Sequence, residues 1–147
     1  MNPVRSTLLA LLFSALTLPA LAQTDPLAAA AAEPGAVVTP SGLVYRTVKE
    51  GTGASPAATD TVKVHYRGTF PDGREFDSSF KRNQPASFPL NRVIKCWTEG
   101  LQRMKVGGKA RLTCPAAIAY GDKGAGGGEI PPGAVLRFEV DLLAINP

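Results

Sequence analysis

Histidine and cysteine are the side chains that most often supply catalytic groups or metal ligands, and this chain has few of either. Its 147 residues include one His and two Cys. A serine hydrolase needs a His between a nucleophile and a carboxylate, but His65 falls on the polar side of the alternating run at 62–67, and no Gly-x-Ser-x-Gly motif is present. The sequence also lacks the His-x-x-x-His and Cys-x-x-Cys pairs that indicate zinc. It therefore predicts neither a hydrolase nor a metal enzyme.

The two cysteines leave more than one interpretation open. Cys96 falls in the first turn of a predicted helix and Cys114 on the inner face of the strand that follows, so both can reach one core. In an exported protein this arrangement favours a structural disulfide, and two buried free thiols are the alternative. A thiol oxidoreductase is disfavoured, because the spacing lacks the adjacent pair that lowers a thiol pKa.

Aromatic side chains are the most prominent remaining group. Any single ring is most simply explained by core packing. Six rings are more than one short helix and a thin sheet can easily bury, so part of the set is predicted to line a concave pocket. The six are Tyr66, Phe76, Phe88, Trp97, Tyr120 and Phe138.

Short alternating runs separated by turn residues predict an antiparallel sheet that positions these rings. The turn Pro71-Asp72-Gly73 joins two of the runs into a hairpin, because Pro presets φ and Gly accepts a positive φ. Trp97, Leu101 and Met104 recur at helical spacing and predict one amphipathic helix that packs on the sheet. The predicted strands lie at 43–48, 62–67, 74–77, 110–114 and 136–142.

Residues 119–133 include six glycines and are predicted to form a loop. A phosphate-binding loop is excluded, because the glycines follow no strand-to-helix turn and no Gly-Lys-Ser/Thr sequence is present. The better interpretation is a mobile flap beside a binding site, with Tyr120 and Ile130 at its edges.

The N-terminal part of the chain differs in composition from the rest. Arg5, an uncharged run at 6–18 and the small residues after it predict an export signal over residues 1–22. A membrane anchor is disfavoured, because an apolar run of about 13 residues is shorter than the roughly 20 that span a bilayer. Residues 23–41, rich in Ala and Pro, are predicted to be a flexible tether. The formal net charge of +4 is dispersed among acidic neighbours, so no nucleic-acid partner is expected.

A set of short motifs runs in order along residues 42–145. They are Val64-His65-Tyr66-Arg67-Gly68, the segment 72–79 (DGREFDSS), Val93-Ile94 with the segment 97–101 (WTEGL), Ala119-Tyr120-Gly121, Ile130-Pro131-Pro132-Gly133 and Phe138-Glu139-Val140. Each motif is weak alone, but the ordered set is highly specific and resembles the FKBP-type peptidyl-prolyl cis-trans isomerases. The resemblance implies an α+β domain at 42–147, in which a twisted antiparallel sheet of five or six strands forms a half barrel around one short helix.

The same resemblance implies a pocket between the sheet and the helix. Trp97 would form its floor. The walls would be the rings of Tyr66, Phe76, Phe88 and Phe138. An aliphatic rim with backbone donors would come from Val93, Ile94 and Ile130.

The implied catalytic set is Tyr66, Asp77 and Tyr120. Either the Tyr120 hydroxyl or the Ile130 N–H would bind the substrate carbonyl. Asp77 would order the pocket through hydrogen bonds rather than act as a base, because rotation about an X-Pro bond transfers no proton.

The resemblance implies an isomerase without a cofactor. Its expected partners are proline-containing unfolded or partly folded polypeptides in the bacterial periplasm, with macrolide inhibitors as further candidate ligands. A non-catalytic chaperone or peptide-binding module with the same pocket is the alternative. The short tether holds no long dimerising helix, so a monomer is expected, with no membrane partner after signal cleavage.

Some residues depart from the family pattern. Ala86 stands where many relatives carry an aromatic, the connection at Asn91-Arg92 is shorter, and Lys95-Cys96 begin the helix differently. These changes leave the pocket floor alone but can weaken macrolide binding. Glu129 and the glycines at 126–128 alter the flap and bear on substrate preference.

Overall fold

The computed structural model describes residues 25–147. The export signal predicted for residues 1–22 lies outside this part of the chain. Among the described residues, no helix combines the length and the apolar character needed to cross a membrane. This part of the chain forms two α-helices, seven strands and four short 3-10 turns.

The elements follow one another through short connections. The helices are α1 (Pro26–Ala31) and α2 (Lys95–Gln102). The strands are β1 (Ala36–Val38), β2 (Val44–Lys49), β3 (Thr61–Thr69), β4 (Glu75–Ser78), β5 (Ala86–Pro89), β6 (Lys109–Cys114) and β7 (Leu136–Ile145). The 3-10 turns are Leu90–Arg92, Ala116–Ile118, Gly121–Lys123 and Gly126–Gly128.

The strands form one antiparallel sheet in the order β1-β2-β6-β7-β3-β4. β4 and β5 both pair with β3, at its C-terminal and N-terminal halves respectively. The predicted α+β class is confirmed, with seven strands in place of five or six. β1 and β5 were not recognisable from the sequence, because each is too short to show an alternating pattern.

The core lies between one face of the sheet and α2. Val62, Val64 and Tyr66 on β3 are buried, as the period-two pattern predicts. α2 lies close to β6 at Gly100, where a Cβ atom would overlap Leu112 Cδ2. A glycine is therefore needed for the helix to lie this near the sheet.

The tether prediction for residues 23–41 is wrong over much of its length. α1 buries Ala30, which is 6% exposed, and β1 pairs with β2. Glu33, between α1 and β1, forms ion pairs with Arg46 (3.0 Å) and Arg111 (3.6 Å) on the sheet. A helix this short is marginal by itself, so packing on the sheet supplies the stability that the alanines lack.

Cys96 and Cys114 form a disulfide in the structure, and their Cα atoms are 5.9 Å apart. Both side chains are fully buried. The bond joins the first turn of α2 to the end of β6 and thereby holds the start of α2 against the sheet. Trp97, the predicted pocket floor, directly follows Cys96 and shares this anchorage.

Candidate active site

A cavity of about 420 Å³ opens where the start of α2 faces β3, β4, β5 and β7. Ten of the described residues line it, and most of them are aromatic or aliphatic. Nine of the ten site residues predicted for the pocket are among them. The lining consists of Tyr66, Phe76, Asp77, Phe88, Arg92, Val93, Ile94, Trp97, Tyr120 and Phe138.

Trp97 lies at the bottom of the cavity, and only 4% of its surface is exposed. Three rings pack edge-on against the indole, with centroid distances of 5.2 Å to Tyr66, 5.6 Å to Phe88 and 5.4 Å to Phe138. Near-perpendicular packing of this kind is favourable between aromatic quadrupoles and fixes the orientation of the indole. The cavity therefore has a rigid apolar floor, which suits a small, uncharged ring.

Phe76 extends the aromatic wall beyond Phe138, and their ring centroids are 5.7 Å apart. Its position depends on Gly68 of β3, because a Cβ atom at Gly68 would be 2.5 Å from Phe76 Cζ. The motif 64–68 contains this glycine, but only the structure explains its place there. Gly68 makes room for the ring.

The polar edge of the cavity is a network of Tyr66, Asp77 and Arg82. The Tyr66 hydroxyl donates a hydrogen bond to Asp77 Oδ2. Arg82 donates through Nη1 to Asp77 Oδ1 (2.5 Å) and through Nη2 to the Tyr66 oxygen (3.0 Å). Arg82 could not be recognised as a site residue from the sequence, because it follows the predicted strand by several residues and belongs to none of the motifs.

This network sets the charge of Asp77. Burial would raise the pKa of the Asp77 carboxyl, but the hydrogen bonds from Tyr66 and Arg82 and the nearby positive charge lower it on balance. Burial raises the pKa of the Tyr66 hydroxyl, and its hydrogen bond to Asp77 raises it further. At neutral pH the site therefore holds an ionised carboxylate and a neutral phenol, and both are already engaged with each other.

Tyr120 provides a free polar group at the mouth of the cavity. It stands just before the turn Gly121–Lys123, and 39% of its surface is exposed. Its hydroxyl makes no hydrogen bond to any other described residue. Burial raises the pKa of this hydroxyl, as does the negative charge of Asp77. The hydroxyl is therefore protonated at neutral pH and available to donate.

Ile130 is the predicted site residue that does not line the cavity. It is 7% exposed and packs in the core. Its N–H donates to the carbonyl of Ala125 at 3.1 Å, in an isolated bridge that closes the glycine-rich loop. The prediction that this N–H could bind a substrate carbonyl is wrong, because the donor is already used within the loop.

Ile94 is better placed to supply a backbone donor. It lines the cavity and caps the N-terminus of α2, where its carbonyl accepts hydrogen bonds from Trp97 and Thr98. Its own N–H donates to no acceptor among residues 25–147. Helix N-termini leave such donors unpaired, and this one lies at the cavity.

The other candidate chemistries find no support in the described part of the chain. His65 is half-buried, stacks on Phe80 and bonds the Ser79 hydroxyl through Nδ1 (2.9 Å), away from the cavity lining. The buried disulfide leaves neither Cys96 nor Cys114 exposed for thiol chemistry. Residues 25–147 contain no group of three or more His, Cys, Asp or Glu side chains suited to a metal ion.

Comparison with known proteins decides the family. The sequence profile of one protein family matches residues 53–143, which is more than half of the chain. That family is described as FKBP-type peptidyl-prolyl cis-trans isomerase. The chain belongs to the FKBP family. All the residues that line the aromatic cavity lie within the matched part of this FKBP domain.

Relatives of this FKBP domain come from several bacteria. It is 57% identical over 120 residues to the FKBP-type isomerase FkpA of Aeromonas hydrophila, a match covering 82% of this chain and 44% of the relative. It is 53% identical over 107 residues to the FKBP-type 22 kDa isomerase of Escherichia coli, covering 73% of this chain and 52% of the relative. The chain thus spans about half the length of these relatives.

Solved structures agree with the FKBP assignment. The crystal structure of Escherichia coli FkpA superposes with a TM-score of 0.79 at 46% identity, covering 82% of this chain and 56% of that one. A peptidyl-prolyl cis-trans isomerase from Pseudomonas syringae superposes with a TM-score of 0.77 at 40% identity, covering 83% of this chain and 89% of that one.

Proposed function

We propose that this FKBP domain is a peptidyl-prolyl cis-trans isomerase acting on exported polypeptides. The observation that carries the proposal is the open cavity above Trp97, walled by edge-packed rings and bordered by the Tyr120 hydroxyl and the Ile94 N–H. A proline ring is small, apolar and uncharged, so it matches this space. Family membership supports the same reaction.

The reaction needs no nucleophile. Rotation about an X-Pro bond faces a barrier of about 18–20 kcal/mol, because twisting the bond breaks amide resonance while every covalent bond stays in place. The planar amide is more charge-separated than the twisted one. Transfer from water to an apolar cavity therefore penalises the ground state more than the transition state, and each 1.36 kcal/mol of that difference is worth about tenfold in rate.

Each side chain then has a role that follows from its position. Trp97 holds the proline ring, and the surrounding rings exclude water. The Tyr120 hydroxyl and the Ile94 N–H donate to carbonyl oxygens of the bound peptide and fix one twisted conformer. Asp77 holds Tyr66 and Arg82 in place and thus maintains the wall, rather than taking up a proton.

The proposal extends to the setting of the reaction. We infer that the protein is exported to the bacterial periplasm and that its substrates are unfolded or partly folded chains whose X-Pro bonds relax over tens to hundreds of seconds without catalysis. We also infer that it acts as a monomer without a cofactor, with macrolides as candidate inhibitors. Gel filtration with light scattering tests the oligomeric state directly.

A protease-coupled assay with an Ala-Pro peptide tests the activity. We expect turnover by the unmodified chain and a loss of tenfold or more in kcat/KM for Trp97→Ala, with Trp97→Phe partly active because it keeps an aromatic floor. Circular dichroism confirms that each variant is folded. A folded chain that binds unfolded proteins but does not accelerate isomerisation would overturn the proposal in favour of a peptide-binding module.

A further inference from the structure

Arg92 is a charged residue of the cavity that the proposed mechanism does not use. It ends the 3-10 turn Leu90–Arg92, its side chain is exposed, and it lines the cavity beside Val93. It forms no ion pair with any acidic residue between positions 25 and 147. Residues 1–24 contain no Asp or Glu, so they hold no acidic partner either.

The acidic group of the cavity does not neutralise Arg92. Asp77 is the one acidic residue in the lining, and it is engaged by Arg82 (2.5 Å) and by the Tyr66 hydroxyl. Asp77 and Arg82 offset each other in charge, so the mouth of the cavity retains the positive charge of Arg92. Lys95, exposed at the first position of α2, adds a second positive charge three residues away.

A bound peptide brings its neighbouring side chains to this rim. With the proline ring inside the cavity, the residues on either side of it lie about 3.8 Å away across a trans bond, and the preceding residue lies about 2.9 Å away when its bond to the proline is cis, measured between Cα atoms. A guanidinium recognises a carboxylate through paired hydrogen bonds and a full charge. An exposed Arg at the mouth therefore favours a carboxylate on the residue next to the proline.

We propose that Arg92 makes this cavity selective for acidic proline segments. In these segments Asp or Glu directly precedes or directly follows the proline. The proposal rests on the isomerase function proposed above and specifies its substrate class. Because the pair forms at an exposed rim, the expected preference is modest, about twofold to fivefold in kcat/KM. The preference should weaken as salt screens the pair.

The test compares matched peptides that differ only in charge at one flanking position. These are Glu-Pro against Gln-Pro, and Pro-Glu against Pro-Gln, assayed by exchange NMR so that no coupling protease imposes its own preference. For the unmodified chain at low salt, we expect the Glu peptide of at least one pair to have the higher kcat/KM by about twofold to fivefold. For Arg92→Gln we expect that ratio to fall to about one, whatever the absolute rates.

Arg103→Gln is the matched control. Arg103 is also exposed and unpaired in the described chain, but it stands at the far end of α2, and a helix of eight residues is about 12 Å long. It changes net charge equally and should leave the Glu/Gln ratio unaltered. Arg92→Glu should invert the selectivity, favouring Lys-Pro over Glu-Pro.

The outcomes separate this proposal from the proposed function. Turnover of every peptide with a Glu/Gln ratio of one in the unmodified chain overturns the acidic preference and leaves the isomerase intact. A ratio that persists in Arg92→Gln, or that falls equally in Arg103→Gln, also overturns it. Absence of turnover on all peptides contradicts the isomerase function itself.

Discussion

Arg82 Nη1 lies 2.5 Å from Asp77 Oδ1, and this ion pair acts with the hydrogen bond from Tyr66 to lower the pKa of a half-buried carboxyl. Burial is the largest influence on Asp77 and acts to raise its pKa, yet the hydrogen bonds and the positive charge leave the pKa below its ordinary value near 3.8. A group whose pKa is lower in the folded state stabilises the fold above its unfolded pKa. That contribution is lost as the pH falls through the folded value.

We therefore predict a pH-dependent difference in stability between the unmodified chain and Arg82→Met. The free energy of unfolding should be lower for Arg82→Met at pH 6, because burial of the charged Asp77 is then poorly compensated. The gap should narrow as the pH falls to 3.8 and below, and it should close once Asp77 is protonated in the folded unmodified chain. Urea unfolding from pH 3 to pH 6 measures it.

Lys81→Met serves as the control for that experiment. Lys81 is the exposed neighbour of Arg82 and forms no ion pair within the described residues. Its removal should produce no gap that closes with acid. A gap of constant size for Arg82→Met across the whole pH range would show that Asp77 is not the group responsible.

Tyr120→Phe tests the free hydroxyl at the mouth of the cavity. Because this hydroxyl has no hydrogen-bond partner in the described chain, its removal should leave stability unchanged. It should lower kcat/KM by about fivefold to tenfold, the usual value of one hydrogen bond.

Asp77→Ala should also lower activity, by disordering Tyr66 and Arg82. Full activity in folded samples of both variants would mean that neither residue has its assigned role.

Gly68→Ala tests the space that β3 leaves for the aromatic wall. The added methyl group would overlap Phe76 and press on Phe138, so we expect a loss of about 1–3 kcal/mol in stability and a narrower cavity with lower activity. Chemical denaturation and the isomerase assay measure the two effects. The double variant Gly68→Ala/Phe76→Leu should recover part of the stability, and failure of Gly68→Ala to change either quantity would contradict the packing described here.

Reduction of the disulfide should destabilise the fold without removing the cavity. The bond closes a loop between positions separated by 18 residues, which in the chain-entropy model contributes about 3 kcal/mol. Urea unfolding with and without a strong reductant should show a loss of that order. The double variant Cys96→Ala/Cys114→Ala should be insensitive to reductant. Equal stability of the oxidised and reduced chain would rule out a structural role for the bond.

Local patterns in the sequence predicted the parts of the fold that they control. The alternation at Val62, Val64 and Tyr66 predicted the buried face of β3, and the helical spacing of Trp97 and Leu101 predicted the side of α2 that packs inward. These patterns are visible because each element buries one face against the same core.

Features that depend on long-range contacts could not be predicted in this way. α1 and β1 form because they pack and pair on a sheet whose strands lie far along the chain, and Glu33 is held by Arg46 and Arg111. The position of Arg82 in the site also depends on contacts that no local pattern shows, because Arg82 binds Tyr66 and Asp77 on two different strands. For Ile130, the motif predicted a place in the cavity rim, and neither its burial in the core nor the hydrogen bond from its N–H to Ala125 could be read from the sequence.

The most direct test of the account uses Trp97 as its own probe, because it is the single tryptophan of the chain. If the proline ring occupies the cavity above the indole, titration with an Ala-Pro peptide should change the tryptophan emission saturably. Half-saturation should match the KM of isomerisation wherever binding is fast, and an Ala-Ala peptide should produce no change. An emission unaffected by the Ala-Pro peptide at concentrations that saturate turnover would contradict the account.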